Sequence, residues 1–242
     1  MIKMYPEFDS PKLVVKEISP LEEFLMPSFL KSRLFHYSLV KVSPHFMTVW
    51  QQVIKRGMDI VISLLAILVL APVYLVTAIG VKLTSNGPVL FKQQRIGIDG
   101  KPFQMIKFRT MYLNAEKYGP QLSSKNDPRI TRFGKLLRKV RLDEIPQLFI
   151  VLSGTMSMVG PRPEREFYIN QIVEKAPHYL VLLNVKPGLT SWGEIKYGYA
   201  ENIGQMVDRL SFDIDYIEEM SIKTDLKVLF HTIFVILQAS GR

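Results

Sequence analysis

Cysteine is absent from the 242 residues. That excludes disulfide bonds, cysteine-ligated metals and thiol catalysis, and it leaves the redox compartment open. The first 50 residues lack a basic start followed by an apolar run, so no cleavable signal peptide is expected. Internal repeats, low-complexity tracts and recognised nucleic-acid-binding motifs are also missing. Acids are scarce: 22 Asp and Glu stand against 31 Lys and Arg, a net charge of +9. Such a balance points to an anionic partner, whether nucleic acid, a phosphate-rich substrate or an anionic membrane surface. Apolar residues, at 48%, are ample for a core, and the length suits one domain with extras or two small domains.

One long stretch carries no charge at all, from Ile60 to Val81 within "KRGMDIVISLLAILVLAPVYLVTAIGVK". As a helix it would reach about 33 Å, enough to cross a bilayer core. A plain spanning helix is therefore one reading. Pro72 argues for another, because proline removes a backbone donor and clashes with the preceding turn. Charge argues the same way. Lys41, Lys55 and Arg56 precede the segment, and Lys82, Lys92, Arg95, Lys101, Lys107 and Arg109 follow it, against the single acid Asp99. Positive flanks favour the cytoplasmic side, and two such flanks fit a segment that enters and returns. The expectation is a re-entrant helix–break–helix hairpin over residues 53–82, with Pro72 near its apex and Asp59 paired to Lys55 or Arg56 at the interface.

Residues 1–52 form an N-terminal extension of unassigned role, within which "LEEFLMPSFLKSRLF" is compatible with a short amphipathic helix. Residues 83–242 follow the apolar segment as a catalytic-domain candidate. Asp99-Gly100 lies between two alternating runs and predicts a β-hairpin over residues 87–111, with Phe103, Met105, Lys107 and Arg109 on one strand face. Helices are expected over 132–142, 144–152, 203–220 and 224–238, the last capped by Thr224. The fold class is thus α+β, mainly helical. In "VGPRPE", Pro161 and Pro163 leave Arg162 little backbone freedom to lose on binding an anion.

In "VRLDEIPQLF" two acids, Asp143 and Glu144, follow the basic residues Lys135, Arg138, Lys139 and Arg141. Asp143 is a candidate N-cap for the helix that contains Pro146. Helix-start amides and the arginines would hold its carboxylate ionised, and an ionised, positioned carboxylate can act as a nucleophile. Its neighbour can ligate a hard divalent cation such as Mg²⁺. Alone, the pair favours the ordinary reading, in which Asp143 caps a helix and Glu144 pairs with Lys or Arg. Combined with a membrane-dipping segment, a cationic strand face and a rigid Pro-Arg-Pro, it fits phosphoryl chemistry at a membrane surface.

The stretches "KRGMDIVIS", "PVLFKQQRIGIDGKPFQMIKFRTM", "DPRITRFGKLLRKVRLDEIPQLFIVLSGTMSMVGPRPE" and "VKPGLTSWGEIKYGY" resemble the bacterial sugar transferases, the monotopic polyprenyl-phosphate hexose-1-phosphate transferases, over residues 53–242. The resemblance implies transfer of a sugar 1-phosphate from a nucleotide sugar, usually UDP-linked, to undecaprenyl phosphate, with release of UMP, at the start of O-antigen, capsule or exopolysaccharide assembly. It implies a catalytic domain on the cytoplasmic face of the bacterial inner membrane. By position, Asp143 matches the nucleophile that forms a phosphosugar–aspartyl intermediate, and Glu144 matches the residue that helps hold Mg²⁺. Lys107, Arg138 and Arg162 match basic residues near the phosphates, and Asp213 matches an acid near the site. The hairpin break, often Ser-Pro in the family, is Ala71-Pro72 here, and Arg141 stands where relatives often carry a small polar residue. The implied partners are undecaprenyl phosphate, a UDP-sugar and membrane lipid, with no nucleic acid and with a homodimer left open. Competing readings are a membrane-anchored basic module that binds anionic lipid and an inactive scaffold.

Overall fold

The apolar segment forms one helix, α1 (Val49–Thr84), in the computed structural model, which describes residues 47–117, 119–124 and 127–238, the side chain of Leu237 excepted. Thr48 starts α1 with a capping box shared with Gln51. Strands β1 (Leu90–Ile96) and β2 (Pro102–Phe108) pair antiparallel, with Phe91 opposite Lys107 and Ile96 opposite Pro102. The Asp-Gly turn lies between them as the sequence predicts, and Asp99 and Gly100 both take positive φ, 56° and 70°.

Helix α2 (Arg132–Lys139) is capped by Thr131 and stops short of the predicted residue 142. At Gly134 an added Cβ would lie 2.1 Å from the Thr110 carbonyl oxygen, so only glycine lets α2 dock this tightly on the end of β2. A 3₁₀ turn, Leu142–Glu144, then leads to α3 (Gln147–Ser153). Strand β3 (Ser157–Val159), helix α4 (Glu166–Lys175) and a 3₁₀ segment, Pro177–Asn184, come next. Strand β4 (Gly188–Thr190) pairs parallel with β3. Helices α5 (Trp192–Lys196), α6 (Ile203–Glu218) and α7 (Ile222–Leu237) complete the chain. Ser221, not Thr224, caps α7; its hydroxyl accepts from Thr224 N. The architecture is mainly helical α+β with two small sheets, as expected.

Two expectations about α1 are corrected. The break at Pro72 is absent, because the helix runs through it. Proline withdraws a single N–H, and contacts on either side offset that loss. Beyond Pro72, the Tyr74 hydroxyl donates to the Ile145 carbonyl, and Val81 packs with Phe108 and Leu137. Nor does Asp59 pair with Lys55 or Arg56. Lys55 donates to Val159 O at 2.9 Å and ion-pairs with Asp225. Arg56 donates to Val151 O and Leu152 O at 2.7 and 2.8 Å, capping α3. Asp59 Oδ1 accepts from Ser157 Oγ and Met158 N at 3.1 and 2.9 Å. Unpaired carbonyls at the end of α3, and an amide and a hydroxyl at β3, need partners that only these side chains reach.

The opposite face of α1 is bare. Val61, Leu64, Leu65, Leu68, Val69, Leu75 and Val76 are all exposed. The helix is long and apolar enough, by length and composition, to cross a membrane, with a mean hydropathy of 2.7 over its most apolar window. The amphipathic reading within residues 21–35 falls outside the described residues.

Asp59→Ala would leave a part-buried amide and a buried hydroxyl without their acceptor. The variant should lose about 2 kcal/mol of unfolding free energy in urea titrations of detergent-solubilised protein. A loss under about 0.5 kcal/mol would show that α1 is not anchored there.

Candidate active site

Burial of several charges in one place is the feature around which the polar interior is organised. Glu144, in the 3₁₀ turn after α2, is 5% exposed. Its Oε1 accepts from Lys107 Nζ of β2 at 2.7 Å and from Arg162 Nη2 at 2.9 Å. Arg162 also donates from Nη1 to both oxygens of Glu194, on α5, at 2.9 Å. Arg141 lies 3.1 Å from Glu194 and 3.7 Å from Glu144. The ring of Tyr199 lies against both guanidiniums, 5.1 Å from Arg141 and 5.6 Å from Arg162. Cation and acid alternate through the cluster, so each buried charge has an opposite neighbour.

Local backbone puts the acids there. Arg141 takes a left-handed conformation, φ 57°, which turns the chain sharply between α2 and the 3₁₀ turn. Asp143 therefore does not cap α3 as the sequence predicts. Pro146 holds that position and makes no side-chain cap. Among the described residues, the Asp143 carboxylate makes no hydrogen bond or ion pair, although the side chain is buried. Burial first, and then the charge of Glu144, push its pKa up to about 6, against the pull of Lys107, Arg138 and Arg162. Burial acts on Glu144 in the same direction, but Lys107, Arg162 and Arg141 overcome it and hold that carboxyl well below its ordinary range. Two adjacent acids are thus driven apart: one accepts from two cations through a single oxygen, and the other is unbonded and more easily protonated.

Arg138 is held by Thr110 Oγ1 at 2.9 Å and Ser123 Oγ at 2.6 Å, and its charge reaches Asp143. The structure therefore brings Lys107, Arg138, Asp143, Glu144 and Arg162 together, as the sequence reading proposes. Asp213 sits one layer away. Its Oδ1 accepts from Gly193 N at 3.0 Å, next to Glu194, and the charges acting on it are those of Arg209, Glu194 and Glu164. Arg109, placed by the sequence on the same strand face as Lys107, turns instead to Ser85 O.

Sequence reasoning misses Glu194 and Tyr199, and also a second buried set in which Glu164 bridges Arg95 and Arg209, each at 2.8 Å. Arg95 and Glu164 adjoin residues already singled out, yet nothing in their spacing marks them as partners. Glu194 sits in a loop read only as rich in glycine and aromatic residues. No cluster of three or more acidic or histidine side chains that could cage a metal occurs among the described residues. Mg²⁺ needs only one or two carboxylates when substrate phosphates supply further oxygens. Glu144 Oε2, free of hydrogen bonds, and the unbonded Asp143 carboxylate fit that requirement.

A family model described as "Bacterial sugar transferase" matches residues 50–239. The chain is 41% identical over 188 residues to a UDP-N-acetylgalactosamine-undecaprenyl-phosphate N-acetylgalactosaminephosphotransferase of Aeromonas hydrophila, covering 78% of this chain and 44% of the relative. It is 40% identical over 212 residues to a UDP-glucose:undecaprenyl-phosphate glucose-1-phosphate transferase of Escherichia coli K12, covering 86% and 46%. A relative with the same name from Caulobacter vibrioides is 38% identical over 181 residues, covering 74% of this chain and 68% of the relative. The chain thus spans under half the length of the first two relatives.

In ¹³C NMR of protein labelled at aspartate carboxyls, Asp143 should titrate near 6. Glu144→Gln removes a like charge and should move that midpoint down, whereas Lys107→Met removes a cation and should move it up. A midpoint near 4 that neither substitution shifts would contradict the electrostatics described.

Proposed function

The chain belongs to the bacterial sugar transferase family, and on that premise we propose that it transfers a sugar 1-phosphate from a UDP-sugar to undecaprenyl phosphate through a phosphosugar–aspartyl intermediate. One observation carries the proposal: a buried carboxylate without a hydrogen bond stands beside an organised set of cations. Its oxygens keep some access to solvent, as a group that attacks an incoming phosphorus needs.

In the first half-reaction an Asp143 oxygen attacks the phosphorus that bears the sugar. The bond from that phosphorus to the bridging oxygen breaks, and UMP leaves with the electron pair. In the second half an oxygen of undecaprenyl phosphate attacks the same phosphorus, and the Asp143 carboxylate departs. The product is a polyprenyl diphosphate sugar. Lys107, Arg138 and Arg162 stabilise charge on the phosphoryl oxygens, and Glu144 fixes two of these cations in place. Mg²⁺, held by Glu144 and the substrate phosphates, would neutralise diphosphate charge and ease departure of UMP. Among the relatives described, one name specifies N-acetylgalactosamine and two specify glucose, so the sugar is left open.

Embedding of α1 in the cytoplasmic leaflet belongs to the same proposal. Residues 55–59 and 74–81 both pack on one folded body, while the face between them is bare and apolar. A helix held this way has both ends on the side of the body it contacts. The acceptor's phosphate is tied to the interface by its tail, and the embedded helix brings Asp143 to that level.

Wild-type protein given the UDP-sugar without lipid should gain the mass of one sugar phosphate on the peptide containing Asp143, and should release about one equivalent of UMP per enzyme. Asp143→Asn should fold and do neither. A sugar phosphate trapped on another residue, or substantial turnover by the variant, would overturn the assignment. For topology, His45→Cys and Lys101→Cys have a cysteine-free background. Both should label only from the cytoplasmic side, and external labelling of either would mean that α1 crosses.

A further inference from the structure

Five buried side-chain nitrogen or oxygen atoms among the described residues lack a hydrogen-bond partner, and two of them, Arg141 Nε and Gln147 Nε2, flank the acid pair in the chain. Gln147, the first residue of α3, is 2% exposed and lies deeper than either acid. We propose that the Gln147 amide is a substrate-binding donor, held for an oxygen of the phosphoryl group that Asp143 attacks.

The proposal rests on the transfer reaction above and adds to it a side chain that touches the group transferred. Three observations lead to it. The first is placement. The 3₁₀ turn Leu142–Glu144 runs into α3 through Ile145 and Pro146, which both take right-handed helical angles. Residues three and four apart in such a stretch share one side, so Gln147 lies on the side of Asp143 and Glu144. The second is the missing bond. Asp143, one turn earlier, is an acceptor without a hydrogen bond, yet the two side chains do not bond each other. A buried donor left unpaired costs stability, and an apolar side chain of the same size would avoid that cost. A ligand that brings its own acceptor accounts for an amide at this position. The third is charge. Lys107, Arg138, Arg141 and Arg162 outnumber Asp143, Glu144 and Glu194, so the acceptor that suits the cluster is an anion rather than a sugar hydroxyl. A phosphoryl group is anionic and carries several acceptor oxygens. Gln147 moves no proton in this role. Its N–H donates to a non-bridging oxygen of the phosphorus that bears the sugar and holds that phosphorus before the Asp143 carboxylate.

The test compares UDP with UMP as ligands, because UDP carries a phosphoryl group at the position of the one transferred and UMP lacks it. Gln147→Met keeps the volume and removes the donor. The variant should melt no more than about 2 °C below wild type, because it loses an unpaired group rather than a bond. Its affinity for UDP should fall about tenfold, and its affinity for UMP less than about twofold. Equal losses for the two nucleotides, an unchanged affinity for UDP, or a lowered Tm with UDP affinity intact would each overturn the assignment. A second measurement uses wild type alone as the binder. With glutamine side chains labelled with ¹⁵N, the Gln147 amide resonance, identified by its absence from Gln147→Glu, should shift on addition of UDP and not of UMP. A resonance that UDP leaves in place would overturn the assignment even if Gln147→Met did not fold. Wild type that binds neither nucleotide would overturn the UDP-linked donor and this assignment together, whereas wild type that binds UDP without help from Gln147 would overturn the assignment alone.

Discussion

Glu144 accepts hydrogen bonds from two cations that arrive from different parts of the fold, Lys107 on β2 and Arg162 in the Pro-Arg-Pro turn, and this shared acceptor joins the pieces of the site. Any one of these charges buried alone would cost several kcal/mol. Burial in alternation makes them mutually dependent. Glu194 extends the pattern by taking the other face of Arg162 and the nearest nitrogen of Arg141. Asp143 is the acid that this arrangement leaves over. Burial and the charge of Glu144 raise its pKa, and the lack of a hydrogen bond leaves its oxygens open. Stability and reactivity are thus divided between two neighbouring residues.

The second constraint is positional. On the proposed reaction the acceptor's phosphate stays at the interface, and the unbonded carboxylate has to meet it there. Polar anchors do this from one side of α1. Arg56 caps α3, the helix that follows the acid pair, and Asp59 binds the segment at β3, which leads into the Pro-Arg-Pro turn. Movement of α1 relative to the site would therefore break bonds next to the acid pair and the Pro-Arg-Pro turn.

Local rules made much of this legible in the sequence. The Asp-Gly turn and the basic character of α2 depend on near neighbours, and the structure places both where those rules put them; the cap expected of Asp143 falls instead to Pro146. Matters settled by distant partners were hidden. Asp59 has two cations within one helical turn, yet it bonds Ser157 and Met158 about a hundred residues away. Arg141 stood out in the sequence only as a charge where relatives often carry a small polar residue, and nothing nearby shows that its left-handed backbone turns it toward Glu194. The role of Glu194 depends on contact between segments that no periodicity connects. Pro72 illustrates the reverse case. Its local cost was read correctly, but packing at Tyr74 and Val81 was sufficient to carry the helix through it.

The anchors of α1 and its bare face are made of different residues. Lys55, Arg56, Asp59, Tyr74 and Val81 face the body, whereas Val61, Leu64, Leu65, Leu68 and Val69 touch little of it. Attachment to the fold and attraction to lipid are therefore separable properties of a single helix. Glutamate and lysine at the second set would leave every anchoring bond in place, opening a route to a form of the protein whose site could be examined without detergent.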